Sequence, residues 1–264
     1  MHNENLVEQV LNQTISPEDL FEKLRILLTG STRTARIYPQ KTRIIRSRCF
    51  RQLSRPETTD DLTYPPKDRA KQQRANGPAE QIFYASTGTP TTLVESRTAS
   101  NEYVIAAEWE LTKKMTVQEI GFINDKLSTI EHILHRIFTS TDEKLYPYTS
   151  KISQILLSGN YINGLLYPSI AIGNQSHNLA IKKSFVDEGL RCVNAVLYKI
   201  VEVTDNLKYT VEELDFATCH EKTLDWKGRK KQWNIKENYG SLKMAYNGWC
   251  YYAQKPDGSL VDPE

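Results

Sequence analysis

The sequence predicts an α+β protein on three observations. Two stretches near the N-terminus repeat leucine and valine at helical spacings, several later runs have the β-branched and aromatic composition of strands, and one long segment among them returns to the helical spacing. A chain of 264 residues can bury a substantial core, as one large domain or as a smaller one with terminal additions. With 39% hydrophobic and 25% charged residues, its composition is that of neither a disordered nor a membrane-spanning chain. No apolar run approaches the ~20 residues of a spanning helix. The opening MHNENLVEQVLNQ has neither the basic start nor the apolar stretch of a secretory signal, so the expected location is the cytoplasm.

Within residues 5–28, Leu6, Val10 and Leu11, then Leu20, Leu24, Leu27 and Leu28, predict two short amphipathic helices. Ser16-Pro17-Glu18-Asp19 between them reads as an N-cap followed by proline and two acids. From Lys23 to Pro56 there are ten Lys or Arg residues and no Asp or Glu, and Thr42 to Phe50 reads as a strand with a basic face. Such a face is either simply solvated, or it points one or two of Arg43, Arg46, Arg48 and Arg51 into a cleft. There the planar guanidinium fork suits a phosphate.

Residues 54–73, with Pro56, Pro65 and Pro66, predict a loop long enough to suggest a role. Gln81 to Ala85 reads as a strand, Thr87 to Pro90 as a turn, and Thr91 to Arg97 as a helix capped by Thr89 or Thr91. After a strand from Tyr103 to Leu111, a helix is expected over Thr116 to Phe138, with Ile120, Ile123, Leu127, Ile130, Ile133, Leu134 and Ile137 on one side. Tyr148 to Leu157 reads as a helix stopping before Gly159, Ile162 to Gly173 as strand-turn-strand, and Asn178 to Lys182 and Cys192 to Val203 as strands. Beyond Val203 the chain changes character. Trp226, Trp233, Trp249, Tyr251 and Tyr252 surround the basic run Lys227 to Lys231, a composition that fills a small core or stacks on single-stranded nucleic acid.

Cys49, Cys192, Cys219 and Cys250 are far apart and form no CxxC pair, which predicts free thiols and no structural zinc. Glu131, His132 and His135 share a helix face but lack both the HExxH pattern and a third ligand, so no metal is expected. No P-loop, GxGxxG or GxSxG occurs. Cys219-His220 with Asp225 are neighbours in sequence, and such residues seldom point at each other.

Spaced chemistry is concentrated between Arg74 and Glu95. Tyr84 follows Arg74 by ten residues at the end of a short apolar run, and Glu95 closes a second run eleven residues later. Ser169 lies far along the chain, behind Pro168 and between apolar segments. If the four converge, the guanidinium grips an anion such as a phosphate, the phenol ring stacks on a flat ring, and the carboxylate stabilises positive charge in a transition state. NAD has all three features. As its nicotinamide–ribose bond breaks, the ribose becomes oxocarbenium-like, and a nearby carboxylate favours that state over the ground state. Without convergence the same stretch is a strand and a capped helix with an incidental Glu95.

The segments RAN at Arg74 to Asn76, IFYAS at Ile82 to Ser86, TTLVE at Thr91 to Glu95 and NGLLYPSIAIGNQSHNLAI from Asn163 to Ile181 resemble the RES domain, named for its arginine, glutamate and serine. That family supplies the toxins of RES-Xre toxin–antitoxin pairs. The resemblance covers about residues 42–203, leaving a helical extension over 1–41 and an aromatic and basic extension over 204–264 expected to pack on the core. It implies an ADP-ribosyltransferase-like fold, a split and twisted β-core with flanking helices. It also implies NAD as the substrate of a glycohydrolase or phosphorylase acting as a toxin or defence effector, or of an ADP-ribosyltransferase that modifies a protein or nucleic acid.

Carried over residue by residue, Arg74 matches the family arginine that contacts NAD, Tyr84 the aromatic beside the nicotinamide and its ribose, Glu95 the catalytic carboxylate and Ser169 the serine. Arg46 or Arg48 matches an arginine near the start of the domain, and Ser86 and Asn178 join these in holding NAD. The implied partners are NAD and a separate Xre-like antitoxin or immunity protein, since no helix-turn-helix of that kind is present; a homo-oligomer is allowed, and neither a metal nor a membrane is implied. Many members read R-x-N-x-x-G, whereas here Ala79 takes the glycine position and Gly77 comes earlier, which predicts a different path for the turn. A reading of another class is a non-catalytic nucleic-acid-binding module built on the two basic stretches, whose binding would weaken steeply with salt.

Overall fold

Helices α1 (His2–Leu11) and α2 (Pro17–Leu28) form where the leucine spacing predicts them. Ser16 Oγ accepts the Asp19 backbone N–H at 3.0 Å and caps α2, while Pro17 takes the first helical position, where its missing donor costs nothing. The computed structural model describes residues 2–28, 33–122, 129–169, 176–203, 209–228, 239–245, 248–254 and 260–261. They fall into two compact units that interleave in sequence. Met1–Thr42, Tyr64–Ala85 and Leu111–Leu190 make the first, and Arg43–Thr63, Ser86–Glu110 and Arg191–Glu264 the second. The protein is α+β, with helices and a mixed sheet.

In the first unit, strands run in the order β1 (Ala35–Tyr38), β5 (Met115–Glu119), β6 (Gly164–Pro168), β7 (His177–Lys182) and β3 (Ile82–Ser86). β1 and β5 are antiparallel, β5 and β6 parallel, and β6 and β7 antiparallel. A Cβ at Gly164 would meet the Ala180 carbonyl oxygen at 2.7 Å, so glycine is what lets β6 and β7 approach there. Helices α1 and α2 pack against α4 (Thr129–Phe138) and α5 (Tyr146–Leu157). Leu6, Val10, Leu20 and Leu24 share one buried cluster with Ile133, Ile137, Tyr148 and Ile152.

The predicted helix from Thr116 to Phe138 is corrected. Its first part is strand β5, with Met115 and Val117 buried at period two and buried Gln118 donating through Nε2 to the Thr34 carbonyl at 2.7 Å. Gly121 then takes a φ of +80°, which no continuing right-handed helix tolerates. Ile120, Ile133, Leu134 and Ile137 are all buried, but Ile120 sits just past β5 and the other three on α4, so they do not share one helical face. Ile123 and Leu127 lie outside the described residues.

The second unit orders β2 (Arg43–Phe50), β4 (Tyr103–Leu111), β8 (Leu190–Val203), β9 (Tyr209–His220) and β10 (Thr223–Trp226). β2 pairs antiparallel with β4 from Arg43↔Glu110 to Phe50↔Tyr103, and with Ser86 at Ile45. Helix α3 (Thr89–Glu95) packs on β2. It begins before the predicted Thr91, with Gly88 rather than a threonine at the cap position and Pro90 in its first turn.

The loop after β2 is fastened down: Arg55 donates to Asp215 at 2.6 Å and Trp226 Nε1 to the Pro56 carbonyl at 2.9 Å. A separate antiparallel sheet of β11 (Tyr239–Ala245), β12 (Gly248–Gln254) and β13 (Leu260–Val261) follows. The basic run from Lys227 lies partly outside the described residues. Cys49, Cys192 and Cys219 are free thiols. Among the described residues no helix is long and apolar enough to cross a membrane.

Candidate active site

Gln73 and Asn76 close a tight turn by reciprocal backbone hydrogen bonds, 3.0 Å from the Gln73 N–H and 3.4 Å from the Asn76 N–H, with Arg74 and Ala75 at its tip. Past the turn, Ala79 donates its N–H to the Ala70 carbonyl at 2.9 Å and takes a φ of +62°. That is the left-handed conformation glycine adopts without strain. Ala79, at the position where the family pattern has glycine, therefore holds a left-handed backbone, and its Cβ bears a steric cost.

Arg74 reaches back from the turn tip to the end of α4. Its Nη1 donates to the Phe138 carbonyl and its Nη2 to the Ser140 carbonyl at 3.0 Å, and its Cζ lies 5.4 Å from the Tyr146 ring centroid. The last carbonyls of a helix lack intrahelical partners and carry partial negative charge, so a guanidinium there is favourable. Tyr84 stands on β3, half-buried beside fully buried Phe83. Its hydroxyl donates to Asn76 Oδ1 at 2.7 Å and accepts the Ala75 N–H at 3.0 Å. Arg74 and Tyr84 are thereby joined through one turn.

Tyr84 packs against the cluster that holds Ala75, Phe138, Tyr167 and Ala180. The rings of Phe138 and Tyr167 meet edge to face, with centroids 5.8 Å apart and planes at 70°. Tyr167 is paired in register with Asn178, and Pro168 with His177. Ser169, which follows β6, is fully buried and donates its N–H to the Ser176 carbonyl at 2.7 Å; Asn178 is buried as well. Beside them burial holds His177 below the ordinary histidine range, helped by the Arg36 charge and opposed by Glu119.

In the second unit, alternation along β2 separates its residues between two faces. Ser47 and Thr92 share a hydroxyl contact of 2.5 Å, and Cys49 lies 2.7 Å from Thr98 Oγ1, so this face receives α3 and its flank. Arg46 and Arg48 belong to the other face, where Arg48 donates to the Asp61 carbonyl and its guanidinium lies 5.7 Å from the Phe50 centroid. The basic stripe is largely engaged: Arg43 bridges Glu108 at 3.1 Å and Glu110 at 2.8 Å, and in the first unit Arg36 bridges Glu119 at 2.7 Å.

Ser86 is fully buried, and its Oγ donates to the Gly88 carbonyl at 2.6 Å and accepts the Gly88 N–H at 3.2 Å, shaping the turn into α3. Glu95 is the last residue of α3 and is exposed. The helix ends through Arg97, whose φ of +51° takes the left-handed position usual for glycine and whose N–H reaches the Val94 carbonyl at 3.0 Å. Arg74, Tyr84, Ser169 and Asn178 thus belong to the first unit, and Arg46, Arg48, Ser86 and Glu95 to the second.

Elsewhere in the first unit, His135 Nδ1 is hydrogen-bonded to the Gly121 carbonyl. Among the described residues no group of three His, Cys, Asp or Glu side chains is placed to hold a metal ion. Asn76 was given no role by sequence reasoning, although it is only 3% exposed and bonds Tyr84 directly. Its position two residues after Arg74, within a segment that carries the family resemblance, was the available signal.

The family model of the RES domain matches residues 46–206, more than half of the chain and a stretch that includes all eight of these residues. The chain belongs to the RES domain family. That family is one of NAD-related, toxin-like enzymes. No curated protein matches the sequence. The RES match leaves out α1 and α2, yet their leucines lie in the same buried cluster as Phe138 and Tyr167, which are inside it.

Proposed function

We propose that this RES protein consumes NAD by cleaving the bond between nicotinamide and ribose, as a glycohydrolase or phosphorylase. The observation that carries this reading is the RES match over a stretch that holds Arg74, Tyr84, Glu95 and Ser169. In the reaction the glycosidic C–N bond breaks and its electron pair leaves with neutral nicotinamide. An oxygen of water or phosphate forms the new bond to the ribose carbon. Water releases a proton and gives ADP-ribose; phosphate gives ADP-ribose bearing a phosphate at that carbon.

Glu95 is assigned the stabilisation of the oxocarbenium-like ribose, which requires a negative charge in the transition state more than in the bound substrate. Tyr84 is assigned the wall beside the nicotinamide and its ribose, and Arg74, with Arg46 or Arg48, the anionic part of NAD. Ser169, Ser86 and Asn178 complete the proposed contacts. Physiologically the activity would deplete NAD in the cytoplasm as a toxin or defence effector, restrained by a separate antitoxin.

The test is to incubate the purified chain with NAD labelled in its adenylate part, with and without inorganic phosphate, and to separate the products. Free nicotinamide with ADP-ribose or its phosphorylated form is the expected result. Label found on protein or nucleic acid identifies a macromolecular acceptor in place of water or phosphate. NAD left intact under every condition overturns the proposal.

A further inference from the structure

Asn76 has four hydrogen-bonding positions, and the surroundings of its buried amide settle how the group is turned. Its Nδ2 faces two backbone carbonyls, donating to Lys71 at 2.9 Å and to Gly77 at 2.7 Å. A carbonyl only accepts, so the nitrogen must occupy that side and Oδ1 must face the Tyr84 hydroxyl. Oδ1 accepts and never donates. The phenolic proton is therefore committed to Asn76, at 2.7 Å, and the phenolic oxygen receives the Ala75 N–H at 3.0 Å from its other side.

From this geometry we infer that Asn76 is a positioning residue for the proposed NAD chemistry, which fixes the ring of Tyr84 and withholds its hydroxyl from proton transfer. The inference rests on the NAD reading above and adds to it a residue and a restriction: Tyr84 acts as a rigid wall and not as an acid or base. The same amide ties Lys71 and Gly77 together across the turn that carries Arg74, so one buried side chain sets both the cation and the aromatic.

The experiment is a double-mutant cycle on the full chain with Asn76→Ala, Tyr84→Phe and both together. It measures kcat and KM for NAD, the pH profile of kcat/KM, and urea unfolding. Each single change is expected to lower kcat/KM by about tenfold, mainly through KM, and the double variant by little more than the worse single, because both sever one connection. The pH profile of Tyr84→Phe should keep both limbs. Independent losses that multiply in the double variant overturn the role of Asn76. Loss of a limb in Tyr84→Phe overturns the restriction on Tyr84. If Asn76→Ala does not fold, Tyr84→Phe carries the test alone, and unchanged kcat/KM in that variant overturns the inference. A wild-type chain that leaves NAD intact overturns the proposed function itself, and with it this role.

Discussion

Ala79 holds a left-handed backbone, with a φ of +62°, although it carries a Cβ. Left-handed backbone costs a Cβ-bearing residue roughly 1–2 kcal/mol, partly offset by the smaller entropy loss of alanine relative to glycine. Ala79→Gly should therefore stabilise the chain, by about 0.5–1 kcal/mol, with a rise of ~1–2 °C in Tm; an unchanged or lower Tm would contradict the assignment of strain there. Arg74 makes the opposite case, since its fork joins two carbonyls that a single ammonium cannot span equally well. Arg74→Lys should lose about 1–3 kcal/mol in urea unfolding, and the same variant should bind NAD less tightly. Arg74, Tyr84 and Glu95 stand out in the sequence by their spacing, and Ser169 by the distant segment that shares the family resemblance. The bonding of Asn76 does not stand out, because it depends on Lys71, Gly77 and Tyr84 meeting around one amide.

Among the elements, strands were the more readable. Tyr103–Leu111 is observed with the predicted bounds, and the strands seen at Arg43–Phe50 and Leu190–Val203 lie within a residue or two of the predicted ones, because β-branched runs bounded by turns have few other uses. The misread element was β5, where Ile120 just past its end lines up in sequence with the isoleucines of α4 as one helical stripe until the left-handed Gly121 divides them.

The ion pairs on β2, β4 and β8 could not be read from sequence, since Arg43, Glu110 and Arg191 meet only through register. Glu110 is held below the ordinary carboxylate range, first by the hydrogen bond from Arg191 and then by the Arg43 and Arg191 charges against the opposing effect of burial. A folded value below the unfolded one means that this stabilisation is present above the unfolded carboxylate range and is lost as pH falls through the folded value. Glu110→Gln should accordingly be less stable than wild type near pH 7. The gap should narrow as pH is lowered from about 5 towards about 3, where wild type surrenders the same contribution. A gap that stays constant across that range would show that the carboxylate charge is not its source.

For the whole molecule, two compact units interleave along the chain, an arrangement no local pattern reveals. The N-terminal helices illustrate the consequence. Their amphipathic spacing was evident, whereas their place in the cluster with Tyr148 and Tyr167 came only with the fold. Deleting residues 1–28 should therefore expose the apolar faces of α4 and α5 and abolish cooperative unfolding of the first unit, as followed by calorimetry; a truncated chain that melts as wild type does would contradict the shared core. The proposed chemistry, at the scale of the molecule, rests on one carboxylate, Glu95. The most direct measurement is release of free nicotinamide from NAD by wild-type and Glu95→Gln proteins at saturating substrate. We expect steady release by wild type and a kcat lower by about a hundredfold or more in the variant, with KM little changed. Equal release from the two proteins, or none from wild type, would contradict the assignment of Glu95 to NAD cleavage.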